Sequence, residues 1–200
     1  MKLVIDLDST VCDFVDPWLI WLNVNNYTNE FYKVEDVTSY DWMMNKFDAS
    51  VRDFFLVDPM VTYSLWIDPY KGAKEFLDWC YENYDAYILT HAEIDETIEA
   101  KTWFVKNKIN SQIPMKFFSN LHDKFKHIDD GILIDDYPYH AIKTTAKTNK
   151  DSIIIDHDGR NGWSKLIDYK DLIDTEKPDI SKIHYTKSFD EVKEVLKTLR

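Results

Sequence analysis

Residues 3–10 read Leu3-Val4-Ile5-Asp6-Leu7-Asp8-Ser9-Thr10, a short apolar run that stops at an aspartate. A continuous apolar run predicts a strand buried on both faces, as in a parallel sheet covered by helices. Four similar runs follow: Tyr87-Ile88-Leu89, Met115-Lys116-Phe117-Phe118, Ile132-Leu133-Ile134 and Ile153-Ile154-Ile155. The apolar spacing between and after them predicts helices over residues 72–84, 94–108, 139–145 and 189–199. Strands that alternate with helices predict an α/β fold with a doubly wound parallel sheet.

Composition and net charge argue against several classes of function, nucleic-acid and membrane binding among them. A chain of 200 residues with a net charge of −12 has the size of one domain with room for an insertion, and lacks the basic balance of a nucleic-acid binder. We therefore expect no stable binding to a nucleic-acid polymer or to an anionic membrane. The two cysteines, Cys12 and Cys80, cannot form a disulfide framework, and no apolar run approaches the length of a membrane span. These features favour a cytoplasmic protein. The sequence allows a homodimer, although no pattern selects an oligomeric state.

Residues 14–70 interrupt the alternation of strands and helices. They hold nearly half of the chain's Phe, Trp and Tyr residues, with helical spacing over residues 17–25 and 49–55. A connection of this length inside a compact domain is usually functional or separately folded. We therefore expect a small, mainly helical cap domain at 14–70, inserted after the first strand into a core made of residues 1–13 and 71–200.

Polar residues follow four of the predicted strands. They are Asp6 and Asp8 after the first, Thr90 after the second, Lys124 after the third, and Asp135 with Asp136 after the fourth. Each has an ordinary interpretation by itself, as a turn former, a helix cap or a surface lysine. In a parallel sheet, however, the carboxyl ends of the strands share one edge, where ligands bind. Four carboxylates converging there would favour a hard cation such as Mg²⁺.

The order Asp-x-Asp-x-Thr, Thr, Lys, Asp-Asp resembles the motif series of the haloacid dehalogenase superfamily of phosphatases. Residues 14–70 match the position of that superfamily's inserted cap. Within it, the run from Asp6 to Phe14 is similar to the first motif of the 5′(3′)-deoxyribonucleotidases. His122-Asp123-Lys124, the run Ile132-Leu133-Ile134-Asp135-Asp136, and Pro69-Tyr70-Lys71-Gly72-Ala73 at the cap exit also have counterparts in that family.

The resemblance implies a Mg²⁺-dependent phosphomonoesterase with a Rossmann-like core that acts on nucleoside monophosphates. Asp6 would be the nucleophile and form an aspartyl-phosphate, and Asp8 would be the general acid and then the general base. Thr90 and Lys124 would hold the phosphoryl group. The metal ligands would be Asp6, the backbone carbonyl of Asp8, and Asp136, with Asp135 beside them.

The cap would select the substrate. The resemblance places Phe14 at the base-stacking position, and Trp18, Tyr40 and Trp42 are further aromatic candidates, although the spacing of Trp18 is more typical of a core residue. This chain also departs from the family at two positions near the substrate. His91 stands where the nucleotidases often carry Ser, and His122 stands where they carry Arg, so both are candidates for substrate binding and put the substrate preference in question.

Other functions fit parts of the same pattern. The substrate could be another small phosphorylated metabolite or the 3′ phosphate of a nucleic acid, although the acidic balance argues against the latter. A phosphoacceptor signalling domain would share Asp, Thr and Lys but not so large a cap. A phosphate-ligand binding protein without activity is the remaining alternative, disfavoured because every motif position carries a chemically competent residue.

Overall fold

A computed structural model describes residues 1–25, 27–40, 42–47 and 55–199 of the chain. At its centre lies a parallel sheet of six strands. From one edge to the other they are β5 (Met115–Phe118), β4 (Asp85–His91), β1 (Lys2–Ile5), β6 (Ile132–Asp135), β7 (Ser152–Ile155) and β8 (Ile183–Thr186). The doubly wound parallel sheet is therefore confirmed, together with all five predicted strands.

The sixth strand, β8, was not predicted, and its position explains why. It pairs only with β7 and forms an edge of the sheet. Ile183 and Thr186 are buried, whereas His184 is half-buried and Tyr185 is exposed. An edge strand meets water along one side, so it lacks the continuous apolar run that marks the central strands.

Helices cover both faces of the sheet. The helices in the described part of the chain are α1 (Val15–Val24), α2 (Trp42–Lys46), α3 (Pro59–Val61), α4 (Ala73–Asn83), α5 (Asp95–Trp103), α6 (Pro138–Thr148), α7 (Lys170–Glu176) and α8 (Phe189–Thr198). Wider π-helical turns continue α3 over Thr62–Trp66 and α5 over Phe104–Ile109. The four predicted core helices are confirmed, whereas α7 was not predicted. None of the helices described is both long and apolar enough to cross a membrane.

The two faces of the sheet carry separate cores. On one face, alternate residues of the strands join Phe76 of α4, Phe104 and Val192 of α8 in one large apolar cluster. On the other face, Val4 and Leu133 belong to a smaller cluster, and α6 packs on Ile154 in another. Because both faces of each central strand are buried, its residues are apolar without interruption until the strand ends.

The inserted segment leaves and re-enters the core at one place. A small antiparallel sheet pairs β2 (Cys12–Asp13) with β3 (Asp68–Pro69), and the Tyr70 amide donates to the Val11 carbonyl. This position agrees with an insertion at 14–70, and its described part holds α1, α2 and α3. Helix α1 covers the predicted 17–25 segment as far as Val24, with Pro17 in its first turn, where a missing amide proton costs little. The predicted helix at 49–55 lies mostly outside the described residues. The division into two domains stays a prediction.

The inserted segment also packs against a loop that follows β7. Gly162 of this loop lies so close to the segment that an added Cβ would sit 2.5 Å from the Val37 carbonyl oxygen. No side chain fits at that distance without moving one backbone away from the other.

Replacing Gly162 by Ala should therefore loosen this contact. We expect Gly162→Ala to lower the free energy of unfolding by about 1–3 kcal/mol, the usual cost of overpacking a filled site. Urea unfolding measures this change. Gly131→Ala is the matched control, because its Cβ would meet a movable Val4 methyl group at 3.3 Å. Equal stability of the two variants would show that the loop and the segment are not tightly packed.

Candidate active site

The site lies where the chain order of the sheet reverses, beside β1. From β1 the chain proceeds to β4 and β5 on one side, and then to β6, β7 and β8 on the other. In open α/β sheets this switch point leaves a crevice at the carboxyl ends of the strands. Asp6 follows β1, Thr90 belongs to the end of β4, and Asp135 ends β6. Lys124 reaches the same crevice from a 3₁₀ turn, Leu121–His127, between β5 and β6.

Three buried carboxylates meet in this crevice. Asp6, Asp135 and Asp136 each offer an oxygen, and these oxygens lie within 4.8 Å of one another. The Lys124 ammonium donates to Asp6 Oδ1 at 2.5 Å and to Asp135 Oδ2 at 2.6 Å. Lys124 is itself buried. The cluster therefore contains three acidic groups and a single ammonium directly bonded to two of them.

Burial and mutual repulsion shift the acidities of these groups. Burial raises the pKa of Asp6 to about 6, although Lys124 opposes the shift. Burial, with the charges of Asp135 and Asp6, also raises the pKa of Asp136 well above its usual range. For Asp135 burial acts in the same direction, but Lys124 and His140 outweigh it and hold its pKa below the usual range. The raised pKa values show that one ammonium does not offset burial and repulsion when all three carboxyls are ionised, and all the ligand atoms are hard oxygens. This donor set fits a divalent cation.

Other parts of the chain orient the two aspartates that follow β6. For Asp136, the Trp163 indole N–H donates to Oδ2 at 2.7 Å, and the Thr10 hydroxyl donates to Oδ1 at 3.3 Å. For Asp135, the Tyr137 amide donates to Oδ1 at 2.8 Å. His140 Nδ1 lies 3.1 Å from Asp135 Oδ2. Such partners around a ligand set fix the orientation of each carboxylate.

Asp8 occupies a different environment from Asp6. Its carboxylate is partly exposed and faces the cavity above the cluster. The Tyr63 hydroxyl donates to Asp8 Oδ1 at 2.8 Å, and Lys101 Nζ donates to Oδ2 at 2.6 Å. Lys101 also donates to the Thr90 hydroxyl oxygen at 2.9 Å. The two motif residues Asp8 and Thr90 are therefore linked through a lysine that the sequence did not single out.

This cavity has a volume of about 580 Å³. It is lined by all the predicted catalytic residues, Asp6, Asp8, Thr90 and Lys124, together with Asp135 and Asp136. A volume of this size is typical of sites for small organic ligands. The six motif residues, distant from one another in the sequence, therefore share one solvent-accessible space.

Four of the six predicted substrate-binding residues line the same cavity: Phe14, Tyr40, His91 and His122. The Tyr40 ring stacks on that of Tyr137, with ring centroids 3.8 Å apart. His91 Nε2 lies 3.1 Å from the Ser119 carbonyl oxygen, and the His122 ring makes an edge contact with Tyr139.

The other two predicted substrate residues lie away from the cavity wall. Trp18 is fully buried, and its ring contacts Phe47 edge-on. Trp42 is half-buried and packs against Tyr32 and Phe47. Both therefore serve the interior of the inserted segment in this structure. The physical reason is the apolar stripe of α1, which turns Trp18 inward with Leu19 and Leu22.

Four polar side chains at the site were missed: Tyr63, Lys101, His140 and Trp163. Each lies on an element that carries no motif, and each reaches the site only through the folded arrangement. Lys101 gave a weak signal, since a lysine among the buried positions of an otherwise ordinary helix needs a partner. Nothing in the local sequence marks His140 or Trp163.

Comparison with known proteins adds information about the fold. No protein-family model matches the chain, and no curated protein matches it. Among solved structures, a haloacid dehalogenase-like family hydrolase from Streptococcus pneumoniae superposes with a TM-score of 0.56. The superposition covers 98% of this chain and 97% of that one, at 13% sequence identity. The chain therefore has the fold of a haloacid dehalogenase-like hydrolase over nearly its whole length.

Proposed function

We propose that the protein is a divalent-metal-dependent phosphomonoesterase of the haloacid dehalogenase type. The observation that carries this proposal is the convergence of Asp6, Asp8, Thr90, Lys124 and Asp136 on one cavity at the carboxyl ends of the strands. Sequence order alone could leave these residues apart, whereas their shared cavity gives one phosphoryl group access to all of them. The fold shared with a haloacid dehalogenase-like hydrolase supports the same reaction class.

The metal we propose is Mg²⁺, held by the carboxylates of Asp6 and Asp136 and by the backbone carbonyl of Asp8. Asp135 would support the site from beside it, through its bond to Lys124. When bound, the cation would withdraw charge from the phosphoryl oxygens and so allow an anionic nucleophile to approach. Phosphate monoesters react very slowly without such electrostatic help.

The reaction would proceed in two displacements at phosphorus. In the first, an oxygen of Asp6 bonds to phosphorus, the ester P–O bond breaks, and Asp8 gives a proton to the departing alcohol oxygen. In the second, water attacks phosphorus, Asp8 takes a proton from it, and the bond between Asp6 and phosphorus breaks. The sum is monoester plus water giving alcohol plus phosphate. The different environments of Asp6 and Asp8 suit these separate nucleophilic and acid–base roles.

Lys124 and Thr90 would hold the reacting groups in place. Lys124, bonded to Asp6 Oδ1, leaves the other oxygen of Asp6 as the attacking atom. Thr90 accepts a hydrogen bond from Lys101, so its own hydroxyl proton is available to a phosphoryl oxygen. Prealigned groups of this kind lower the barrier because little reorganisation remains when the substrate is bound.

For the substrate we propose a deoxyribonucleoside monophosphate, so that the enzyme would be a 5′(3′)-deoxyribonucleotidase. The support is the aromatic part of the cavity wall, which includes Phe14 and the stacked pair of Tyr40 and Tyr137. Aromatic side chains bind planar bases by stacking, with little demand for a particular base. A bare sugar phosphate would leave this apolar wall without a partner.

The reaction class is tested by phosphate release. We expect the wild-type protein with Mg²⁺ to release phosphate from 5′- or 3′-deoxyribonucleotides, and Asp6→Asn to lower the rate by at least about a thousandfold. Asp129→Asn is the matched control, because this aspartate is exposed and is not among the residues that line the cavity. The panel should also hold ribonucleotides, sugar phosphates and an oligonucleotide with a 3′ phosphate. An Asp6→Asn protein as active as the wild type would contradict the mechanism.

The acidic cluster predicts how stability depends on pH when metal is removed. A carboxyl whose pKa is raised by folding binds more protons in the folded state, so stability falls as pH rises through the interval between the two values. For Asp6 that interval runs from its ordinary value of 3.8 to about 6. The pKa of Asp135 is lowered, so Asp135 acts in the opposite direction, but only below its ordinary value.

In EDTA, the free energy of unfolding should therefore fall by at least about 3 kcal/mol between pH 4 and pH 6, because a proton taken up on folding lowers it by about 1.4 kcal/mol for each pH unit and the raised pKa of Asp136 acts in the same direction. Saturating Mg²⁺ should remove this fall and raise the unfolding temperature at pH 7, because the cation binds only the folded cluster. Denaturant titrations with and without metal measure both effects. Asp136→Asn should abolish the response to Mg²⁺, whereas Asp129→Asn should retain it. A wild-type protein unaffected by Mg²⁺ would refute the metal site.

Substitution of Phe14 tests whether a nucleobase stacks on the aromatic part of the cavity wall. We expect Phe14→Leu to raise KM for nucleotides about tenfold, within the range of one lost stacking contact, and to leave KM for glycerol phosphate unchanged. Steady-state kinetics on both substrates give the comparison. Phe31→Leu is the control, because Phe31 also belongs to the inserted segment but is exposed. Equal changes for both substrates would show that Phe14 does not contact the base.

A further inference from the structure

Lys101 is a buried lysine beside the reacting groups, and the two displacements at phosphorus give it no function. It lies on α5, is only 3% exposed, and pairs with the partly exposed Asp8. Burying an ammonium is costly unless every hydrogen of the group finds an acceptor. The acceptors around the Lys101 ammonium therefore indicate its role.

The three hydrogens of the Lys101 ammonium have three acceptors. They are Asp8 Oδ2 at 2.6 Å, the Thr90 hydroxyl oxygen at 2.9 Å and the His91 carbonyl oxygen at 2.6 Å. An ammonium has three donors and no acceptor, so none is left for a substrate oxygen. Lys101 consequently differs from a phosphate-binding lysine, which keeps a donor directed at its ligand.

Tyr63 holds the other oxygen of the same carboxylate. Its hydroxyl donates to Asp8 Oδ1 at 2.8 Å, and its ring is buried against Phe104. Burial, with the nearby charge of Asp8, raises the pKa of the Tyr63 hydroxyl well above its usual range, so this group stays a donor. Asp8 thus has one donor on each oxygen, one from the core helix α5 and one from the inserted segment.

We propose that Lys101 and Tyr63 are positioning residues that fix the Asp8 carboxylate toward the ester oxygen, and that Lys101 sets the Thr90 hydroxyl relative to it. This inference rests on the proposed phosphomonoesterase function and deepens it. Without the pair, Asp8 could rotate about its side-chain bonds while still lining the cavity. Proton transfer requires the acid within hydrogen-bond reach of the leaving oxygen, so a small rotation would cost much of its effect.

The test uses two leaving groups that differ in their need for a proton. A nucleoside alkoxide needs protonation as it departs, whereas p-nitrophenolate leaves without it. We expect Lys101→Met to lower kcat/KM for a deoxynucleoside monophosphate about 100-fold, the range of a general acid, and to lower it less than about fivefold for p-nitrophenyl phosphate. Tyr63→Phe, which removes only the hydroxyl, should give the same pattern with a smaller loss.

Lys108→Met is the matched control. Lys108 follows on the same continuous helix and also bonds to the inserted segment, at the carbonyl oxygens of Ser64 and Ile67. It does not line the cavity. We expect both substrates to be hydrolysed by Lys108→Met within twofold of the wild-type rate. A leaving-group effect in this variant as well would assign the result to the packing of the inserted segment and overturn the positioning role.

Equal losses on both substrates in Lys101→Met would show that Lys101 acts on the phosphoryl group, and no loss on either would show that Asp8 needs no such support. Each result overturns the proposal. A wild-type protein that hydrolyses neither substrate would instead refute the proposed function.

A crystal structure of Lys101→Met gives a readout that needs no activity. The proposal expects Asp8 and Thr90 to change their side-chain orientations while Asp6, Lys124 and Asp135 stay in place. An unmoved Asp8 would overturn the positioning role whatever the kinetics show. Thermal unfolding of the same variant confirms that it is folded.

Discussion

The Lys124 ammonium lies between two carboxylates from different strands, Asp6 after β1 and Asp135 at the end of β6. Because all three groups are buried, removing Lys124 would leave two carboxylates without a compensating charge inside the protein. The pair of bonds therefore constrains the distance between the two strand ends and the position of the turn that carries Lys124. Together with the direct pairing of β1 and β6 in the sheet, this contact holds Asp6 and Asp135 in their relative positions.

The single Lys124 ammonium does not neutralise three carboxylates, so other hydrogen-bond donors are needed to stabilise the negative charge. Further hydrogen-bond partners approach the carboxylates, Tyr137 and His140 from the residues just after β6 and Thr10 and Trp163 from more distant parts of the chain. Hydrogen bonds to an ionised group are stronger than those between neutral partners, so these contacts reduce the cost of burial without removing the charge. The remaining charge is what makes the cluster suited to a cation.

The same contacts connect the acidic cluster to the inserted segment. The loop after β7 carries Trp163, which bonds Asp136, and Arg160, whose guanidinium donates to Asp16 at 3.0 Å at the start of α1. Gly162 lies between them and packs on Val37. A displacement of the segment would pull on this loop and change the orientation of Asp136. The inserted segment and the acidic cluster are therefore linked through this loop.

How much the sequence could predict depends on whether a property is local. The end of a strand can be identified from neighbouring residues, because an apolar run that stops at Asp6 or Asp135 marks both the strand and the polar edge of the sheet. Five such runs were enough to predict the fold. Lys101 and Trp163 were missed because their partners, Asp8 and Asp136, are 93 and 27 residues away. Trp18 shows the opposite case, because its helical spacing, a local property, already favoured a core residue over a stacking candidate, and the structure buries it. Many different sequences can supply apolar runs with polar ends, which explains how two chains at 13% identity share one fold over nearly their full length. The residues that would select a substrate, such as Phe14 and His122, lie outside the sheet and are free of that constraint.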